Sequence, residues 1–255
     1  MSIERTLEEK NIVQGKKTIV IGLCGNPNAG KTCIFNVLTG SRQHVGNYAG
    51  VTVEQKEGTV HFEGYTIKVV DLPGTYSLTA YSIEEIVARD FILREPDVII
   101  NIVDSTNLER NLYLTTQLIE LGAKAVIALN MNDEAQHKGI NIKIKELGLL
   151  LGMPIVPTVG NRGLGMQDLL KEVVAIFENK APVSRHIHVD YGSEVEEEIK
   201  KIQTEIRKDS SLAENLSTRW LSVKLLERDS EIIKEVSATS VCKDAILKQV
   251  GKSQS

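Results

Sequence analysis

Cysteine, aromatic residues and long apolar runs are all scarce in this chain, and each shortage excludes something. Three cysteines (Cys24, Cys33 and Cys242) among 255 residues fit no disulfide framework and no metal-ligand spacing, which points to a reducing compartment. Cys24 and Cys33 flank a glycine-rich loop, where small packing residues are expected. No apolar run approaches the ~18 residues of a membrane span. Met1-Ser2-Ile3-Glu4-Arg5-Thr6 begins no signal-peptide hydrophobic region, so a soluble chain is expected. Positive charge is not in excess either. A net charge of −4 and a pI near 5.8 leave nucleic-acid binding dependent on a local basic patch, and no basic stripe is clustered, so no nucleic-acid partner is expected. The remainder is ordinary globular composition, 25% charged and 42% hydrophobic, long enough for more than one domain.

What the chain does have is Gly25-Asn26-Pro27-Asn28-Ala29-Gly30-Lys31-Thr32. An apolar run, Thr18 to Leu23, precedes it and a helical pattern from Ile34 follows. Strand, glycine-rich loop and helix in that order form the context of a phosphate-binding loop. Consecutive backbone N–H groups must wrap a polyanion, and glycine lets the chain approach that closely. The helix N-terminus adds its unpaired N–H groups and its dipole. Lys31 is placed to reach the β- and γ-phosphates, and the Thr32 hydroxyl to ligate Mg²⁺. The competing reading is an ordinary glycine-rich turn between strand and helix.

The pattern then alternates. A long polar loop is expected over Ser41 to Thr52, followed by strands Val53 to Phe62 and Tyr65 to Val70 joined at Glu63-Gly64 by a hairpin turn. Ser82-Ile83-Glu84-Glu85 is a capping box opening a helix to about Arg94, with Ile83, Ile86, Val87 and Phe91 on one face. Buried strands are expected at Asp97 to Asp104, Ala125 to Leu129 and Ile155-Val156. Helices are expected from Leu108 to Gly122, Ile144 to Leu151 and Met166 to Asn179. Continuous apolar strands between amphipathic helices predict an α/β fold, a mostly parallel sheet covered on both faces. Its ligand belongs beyond the carboxyl ends of the strands. After Ala181-Pro182-Val183-Ser184 only helical patterns remain: a second capping box at Ser193 to Glu196 leading Val195, Ile199, Ile202 and Ile206, then helices around Trp220 and around Ile232-Ile233-Val236. The division is therefore a tail over 1–16, an α/β domain over 17–183 and a small all-α domain over 184–255. Trp220 is read as core, and the acidic run Glu194 to Glu198 as a solvated face.

Two further strand ends carry chemistry. Asp71-Leu72-Pro73-Gly74 offers a carboxylate for a Mg²⁺ water and a Gly74 N–H able to sense a γ-phosphate. Thr52 can add a second hydroxyl to Mg²⁺. Asn130-Met131-Asn132-Asp133 reads the base: the Asp133 carboxylate can accept from the adjacent N1 and N2 donors of guanine, an edge adenine lacks. Asn130 can tie this segment to the phosphate loop.

Order, spacing and wording of these motifs resemble the cytosolic guanine-nucleotide domain of FeoB, the prokaryotic ferrous-iron transport protein B family. Asp71-Leu72-Pro73-Gly74-Thr75-Tyr76-Ser77-Leu78 and Glu109-Arg110-Asn111-Leu112-Tyr113-Leu114 are wording beyond a generic GTPase. Tyr191-Gly192 and Arg219-Trp220-Leu221 are similar to the helical domain that follows in that family. The resemblance implies a Ras-like P-loop GTPase, slow and K⁺-stimulated, whose helical domain couples nucleotide state to a membrane permease in the same full-length protein. The chain would be the cytoplasmic part, at the inner face of the cell membrane. It implies contacts to GTP or GDP from Gly25, Asn26, Asn28, Ala29, Gly30, Lys31, Thr32, Cys33, Val51, Thr52, Asp71, Gly74, Asn130, Met131, Asp133, Val159, Gly160 and Asn161. Asn28, Lys31, Thr52 and Gly74 would be catalytic, with Mg²⁺ on Thr32, Thr52 and Asp71. K⁺ would lie on the Asn28 side chain and the carbonyls of Gly46 and Tyr48.

The chain departs from the family at two places. Tyr48-Ala49 stands where Trp-Pro is usual. Val159-Gly160 replaces Ser-Ala in the fifth motif, where contact through backbone N–H groups is expected to preserve binding while altering affinity and release. Thr75 occupies the position of the water-orienting Gln of Ras-like enzymes, so backbone groups are expected to hold the attacking water. The competing functions are a ribosome-assembly GTPase with an RNA-binding helical domain, and a P-loop ATPase or kinase. The acidic pI opposes the first and Asn130 with Asp133 opposes the second. A homo-oligomer is left open by the sequence.

Overall fold

The computed structural model describes residues 18–40, 43–48, 51–79, 82–183, 187, 189–215 and 217–252. The tail 1–16, Ser41-Arg42 and Ala49-Gly50 of the long loop, Ser184 at the domain break and Leu216 lie outside the described residues.

The described residues begin with β1 (Thr18–Gly25), α1 (Lys31–Thr39), β2 (Gln43–Asn47), β3 (Glu54–Phe62), β4 (Tyr65–Asp71) and α2 (Ile83–Arg94). Next come β5 (Val98–Asp104), α3 (Leu108–Leu121), β6 (Ala125–Asn130), α4 (Asn132–His137), α5 (Ile144–Leu151), β7 (Ile155–Pro157) and α6 (Met166–Phe177). The remainder is helical: α7 (Ser193–Ile206), α8 (Ser210–Asn215), α9 (Thr218–Leu226), α10 (Ser230–Thr239) and α11 (Lys243–Lys252). The strands form a seven-stranded sheet in the order β2-β3-β4-β1-β5-β6-β7. β4, β1, β5, β6 and β7 are parallel, and β2 and β3 complete one edge antiparallel.

Strand residues alternate between two cores. Ile19, Ile21, Leu23, Ile67, Val69, Ile100 and Ile102 face α1 and α6 through Ile34, Phe35, Leu169 and Val173. Val70, Leu72, Ile99, Val103, Ile127 and Leu129 face α2 and α3 through Phe91, Leu114 and Leu118. This second cluster continues into the C-terminal helices through Ile202, Trp220, Leu225 and Val236. Helical packing therefore runs on from the sheet without a break.

Beyond the short helix α4 and the helices α8 and α11, which the sequence reading did not expect, three details depart from it. The stretch read as loop contains β2, whose five residues are all exposed; backbone pairing with β3 forms it, which side-chain periodicity cannot signal. On α2 the capping box forms at Ser82 and Glu85, but Ile83 is 54% exposed while Ala88, Arg89, Phe91 and Ile92 are buried. The buried Arg89 meets Asp229, at the start of α10, at 3.1 Å, so a distant ion pair turns the helix. At α7 the capping box does not form: Gly192, at φ 86°, is the N-cap. The Glu196 carboxylate instead accepts from Arg219 at 2.7 and 2.8 Å. That pairing holds Glu196 far below the usual carboxylate range, at about 2. Glu63 and Gly64 do form the hairpin turn, both with positive φ, as a type I′ connection requires. Trp220 is 1% exposed and lies in the core.

Candidate functional site

The loop after β1 turns on Asn28, at φ 67°, and Gly30, at φ 97°. Gly30 tolerates no side chain: a Cβ there would stand 2.2 Å from Asn130 Nδ2. Ala29 N–H donates back to Asn26 O at 3.1 Å, and the chain enters α1 with Lys31. The Lys31 ammonium lies inside the loop, donating to Gly25 O at 3.1 Å and Asn26 O at 3.4 Å. Burial lowers its pKa, partly opposed by Asp71. Burial likewise raises Asp71, against the pull of Lys31, Lys56 and the Thr32 hydroxyl. Asp71 Oδ1 is buried without a hydrogen-bond partner. A lone ammonium, an unsatisfied carboxylate oxygen and a hydroxyl thus share one strand-end site. Oxygen donors of that kind suit a hard divalent cation such as Mg²⁺. Cys24 beneath the loop is fully buried and its thiol is pushed up to about 12 by that burial, so it is inert packing.

The Asn130 amide joins three loops. Its Nδ2 donates to Ala29 O at 2.8 Å. Its Oδ1 accepts from Gly160 N–H at 2.9 Å and from the Thr158 hydroxyl at 3.4 Å. Ser105 Oγ donates to Asn130 O at 2.6 Å. Met131 takes the left-handed conformation and leads into α4, placing the half-buried Asp133 in its first turn. Val159 is nearly buried and bridged to Leu164, while Asn161 beside it is exposed. The structure therefore gathers Gly25, Asn26, Asn28, Ala29, Gly30, Lys31, Thr32, Cys33, Asp71, Gly74, Asn130, Met131, Asp133, Val159, Gly160 and Asn161 at the carboxyl ends of β1, β4, β6 and β7. Gly74 borders Lys31: a Cβ there would be 2.9 Å from Nζ.

Of the described residues over 46–52, Tyr48 packs against the cluster that holds Val70 and Leu72, with its hydroxyl buried. Gly46 of β2 pairs with Gln55 of β3, Tyr48 O accepts from Val51 N–H at 3.2 Å and Tyr48 N–H donates to Val53 O at 3.0 Å. Thr52 is exposed and Val51 half-buried. Burial, with the nearby Asp71 charge next, raises the pKa of the Tyr48 hydroxyl, so this ring borders the site.

A family model described as Ferrous iron transport protein B matches residues 19–173, and one described as FeoB cytosolic helical domain matches residues 191–254. The chain belongs to the FeoB family. A Fe(2+) transport protein A/Fe(2+) transporter FeoB fusion protein of Porphyromonas gingivalis is 47% identical over 216 residues, covering 84% of this chain and 26% of that protein. The crystal structure of a mutant S. thermophilus NFeoB bound to GDP superposes with a TM-score of 0.81 at 37% identity, covering 92% of this chain and 90% of that one. The cytosolic domain of the T. maritima FeoB iron transporter in a GMPPNP form gives a TM-score of 0.80 at 36% identity, covering 92% and 95%. The chain spans about a quarter of the length of the curated relatives it matches. Its fold is the FeoB family's P-loop GTPase fold followed by a helical domain, and among the described residues no helix is long and apolar enough to cross a membrane.

Sequence reasoning missed several supports. Thr75 is buried; its hydroxyl donates to Ser77 O, and its N–H donates to Gly25 O at 3.3 Å. Gln117 on α3 accepts from Leu78 N–H at 2.5 Å. The Arg110 guanidinium lies 4.0 Å above the Tyr76 ring, beside a recess of about 150 Å³ that Asn26, Asn28 and Asp104 also line. Arg110 and Tyr76 stand inside family wording, the one signal that could have singled them out. Two larger hollows, of about 260 and 360 Å³, lie around Gly122 to Lys124 and contain none of these motif residues.

Proposed function

We propose that this chain binds GTP with Mg²⁺, hydrolyses it to GDP and phosphate, and forms the cytoplasmic regulatory part of a ferrous-iron transporter, at the inner face of the membrane. The permease would lie in the remainder of the full-length protein, as the relatives' greater length suggests. The observation that carries the reading is the Asn130 amide, which bonds the phosphate loop at Ala29 and the Gly160 loop together. One nucleotide can then meet the loop N–H groups with its phosphates and Asp133 with its guanine edge. GDP in the S. thermophilus relative and GMPPNP in the T. maritima relative support the same class of ligand here.

In this reading the N–H groups of residues 28–33 and the Lys31 ammonium hold the phosphates. Thr32 and Asp71, joined by Thr52, would hold Mg²⁺, which would neutralise phosphate charge. Gly74 N–H meets the γ-phosphate side. The Thr75 side chain is committed to Ser77, so backbone groups orient the water. K⁺ stimulation would need Asn28 together with the carbonyls of Gly46 and Tyr48, the latter already accepting one bond from Val51 N–H. At the Ser-Ala position of the fifth motif the Gly160 N–H is already given to Asn130, so guanine contact there would come from neighbouring backbone N–H groups. The working division is 17–183 for the nucleotide domain and 184–255 for the helical domain. The RNA-binding alternative is not favoured: FeoB models match both halves.

Titration with a fluorescent guanine nucleotide in Mg²⁺, with ATP as competitor, tests the reading. Saturable binding displaced by GTP and not by ATP is expected. A folded chain that takes up no guanine nucleotide refutes it.

A further inference from the structure

The segment following Asp71 carries Gly74, whose N–H is assigned to the γ-phosphate side, so its position bears directly on turnover. Leu72 N–H donates to Leu23 O at 3.0 Å and Thr75 N–H to Gly25 O at 3.3 Å. These bonds bracket Gly74 from the β1 side. Beyond Thr75 the same segment is fastened to a different element, α3. The Arg110 guanidinium covers the Tyr76 ring at 4.0 Å, and Gln117 Oε1 accepts from Leu78 N–H at 2.5 Å. Seven residues separate Arg110 from Gln117, two helical turns, so both lie on one face of α3. The first turn of that helix also touches the phosphate loop, because Asn26 Nδ2 donates to Arg110 O at 3.3 Å. α3 itself is firmly seated: Leu114 and Leu118 are fully buried, and Asn101 Nδ2 donates to Thr115 Oγ1 at 2.7 Å.

We propose that Arg110 is a positioning residue for GTP hydrolysis: by covering Tyr76 it holds the Gly74 turn in register with the phosphate loop. The inference rests on the GTPase reading above. The physical basis is the attraction between a guanidinium and the negative face of an aromatic ring, worth about a two- to fivefold change in rate at an exposed site if it acts only in the transition state. Arg110 touches no reacting atom. It acts through Tyr76, and an ångström of slack at Gly74 is enough to slow chemistry. The ring face matters and the Tyr76 hydroxyl does not. A lysine at 110 keeps the charge over the ring and a phenylalanine at 76 keeps the ring.

The experiment is single-turnover hydrolysis at saturating GTP, with GTP affinity and thermal midpoint measured on each protein. Arg110→Gln and Tyr76→Leu are each expected to slow hydrolysis about two- to fivefold, with affinity and midpoint held. The double variant should be no slower than the slower single one, since both remove the same contact. Arg110→Lys and Tyr76→Phe should recover most of the rate. Wild-type rates in Arg110→Gln, multiplied losses in the double variant, or a loss of GTP affinity without loss of rate would each overturn the assignment. A wild-type chain that binds GTP and shows these variants unchanged fails this inference alone, whereas one that binds no GTP fails the GTPase reading beneath it.

Discussion

Replacing Asn130 with alanine is the sharpest test of how the site is assembled. The substitution removes the donor to Ala29 O at 2.8 Å and the acceptor of Gly160 N–H at 2.9 Å. It also removes the contact to the Thr158 hydroxyl, which at 3.4 Å is too long to count for much. Two good bonds contribute about 1 kcal/mol each, and leaving their buried partners unpaired costs about 1–3 kcal/mol apiece. Ala29 is 1% exposed and Asn130 3%, so water replaces the lost partners poorly, and the larger estimate governs. A loss of about 2–6 kcal/mol in unfolding free energy is expected. Because the amide pins the loops on either side of the nucleotide, guanine-nucleotide affinity should fall at least about tenfold, equivalent to about 1.4 kcal/mol. Urea unfolding followed through Trp220, the single tryptophan and a core residue, gives the first quantity. Titration with a fluorescent GDP gives the second. Asn130→Asp keeps an acceptor for Gly160 but sets a carboxylate oxygen against Ala29 O in a buried site, so it should be no milder than alanine. Wild-type stability and affinity in Asn130→Ala would mean that the loops hold their places without this amide, and the assembly argument would fail.

Four other outcomes are expected. Asp133→Asn should weaken GTP and favour xanthosine triphosphate, because the paired guanine donors lose their acceptor; a retained guanine preference in competition binding counts against Asp133 as the base reader. Asn28→Ala should abolish any difference in turnover between K⁺ and Na⁺, and a wild-type chain with no such difference removes the K⁺ site. Burial raises the pKa of Asp71 above its ordinary value of 3.8. Its ionised form therefore costs stability at neutral pH, and the cost shrinks as pH falls through the folded pKa toward the unfolded one. Mg²⁺ needs the ionised form, so metal affinity should drop over the same acid window. Asp71→Asn should raise the nucleotide-free thermal midpoint while losing the stabilisation by Mg²⁺-GDP; an unchanged or lowered midpoint would contradict the burial argument. Arg89 and Asp229 have side chains 4% and 5% exposed, so Arg89→Met should destabilise, by less than the about 3–5 kcal/mol of an uncompensated buried charge because Asp229 still accepts from the Glu231 and Ile232 N–H groups. Adding Asp229→Asn, which keeps the cap on α10, should recover most of that in urea unfolding; no recovery would show that the pair is not the source of the loss.

The sequence made some parts legible and hid others for physical reasons. Parallel strands buried on both faces read as unbroken apolar runs, so β1, β5 and β6 were visible. A phosphate loop needs left-handed residues in fixed places, and Asn28 and Gly30 occupy them. Gln43–Asn47 was hidden because an exposed edge strand is held by its backbone alone. The rotation of α2 was hidden because the partner of Arg89 is 140 residues away in sequence. Arg110 and Gln117 were hidden for the same reason: their targets, Tyr76 and Leu78, lie on an irregular segment whose path no local pattern specifies. α4 was missed because it is six residues long and polar.

The hydrophobic cluster that runs from Val70 and Phe91 through Leu118 to Trp220 and Val236 has a consequence for anyone who treats the two halves as interchangeable parts. A chain cut after residue 183 would bare the oily flank of α2 and α3 and strand Arg89 and Glu120 without their opposite numbers. Heating the intact chain should give a single calorimetric peak instead of two. Grafting the helices onto another nucleotide domain would require rewriting that flank as well as the seam.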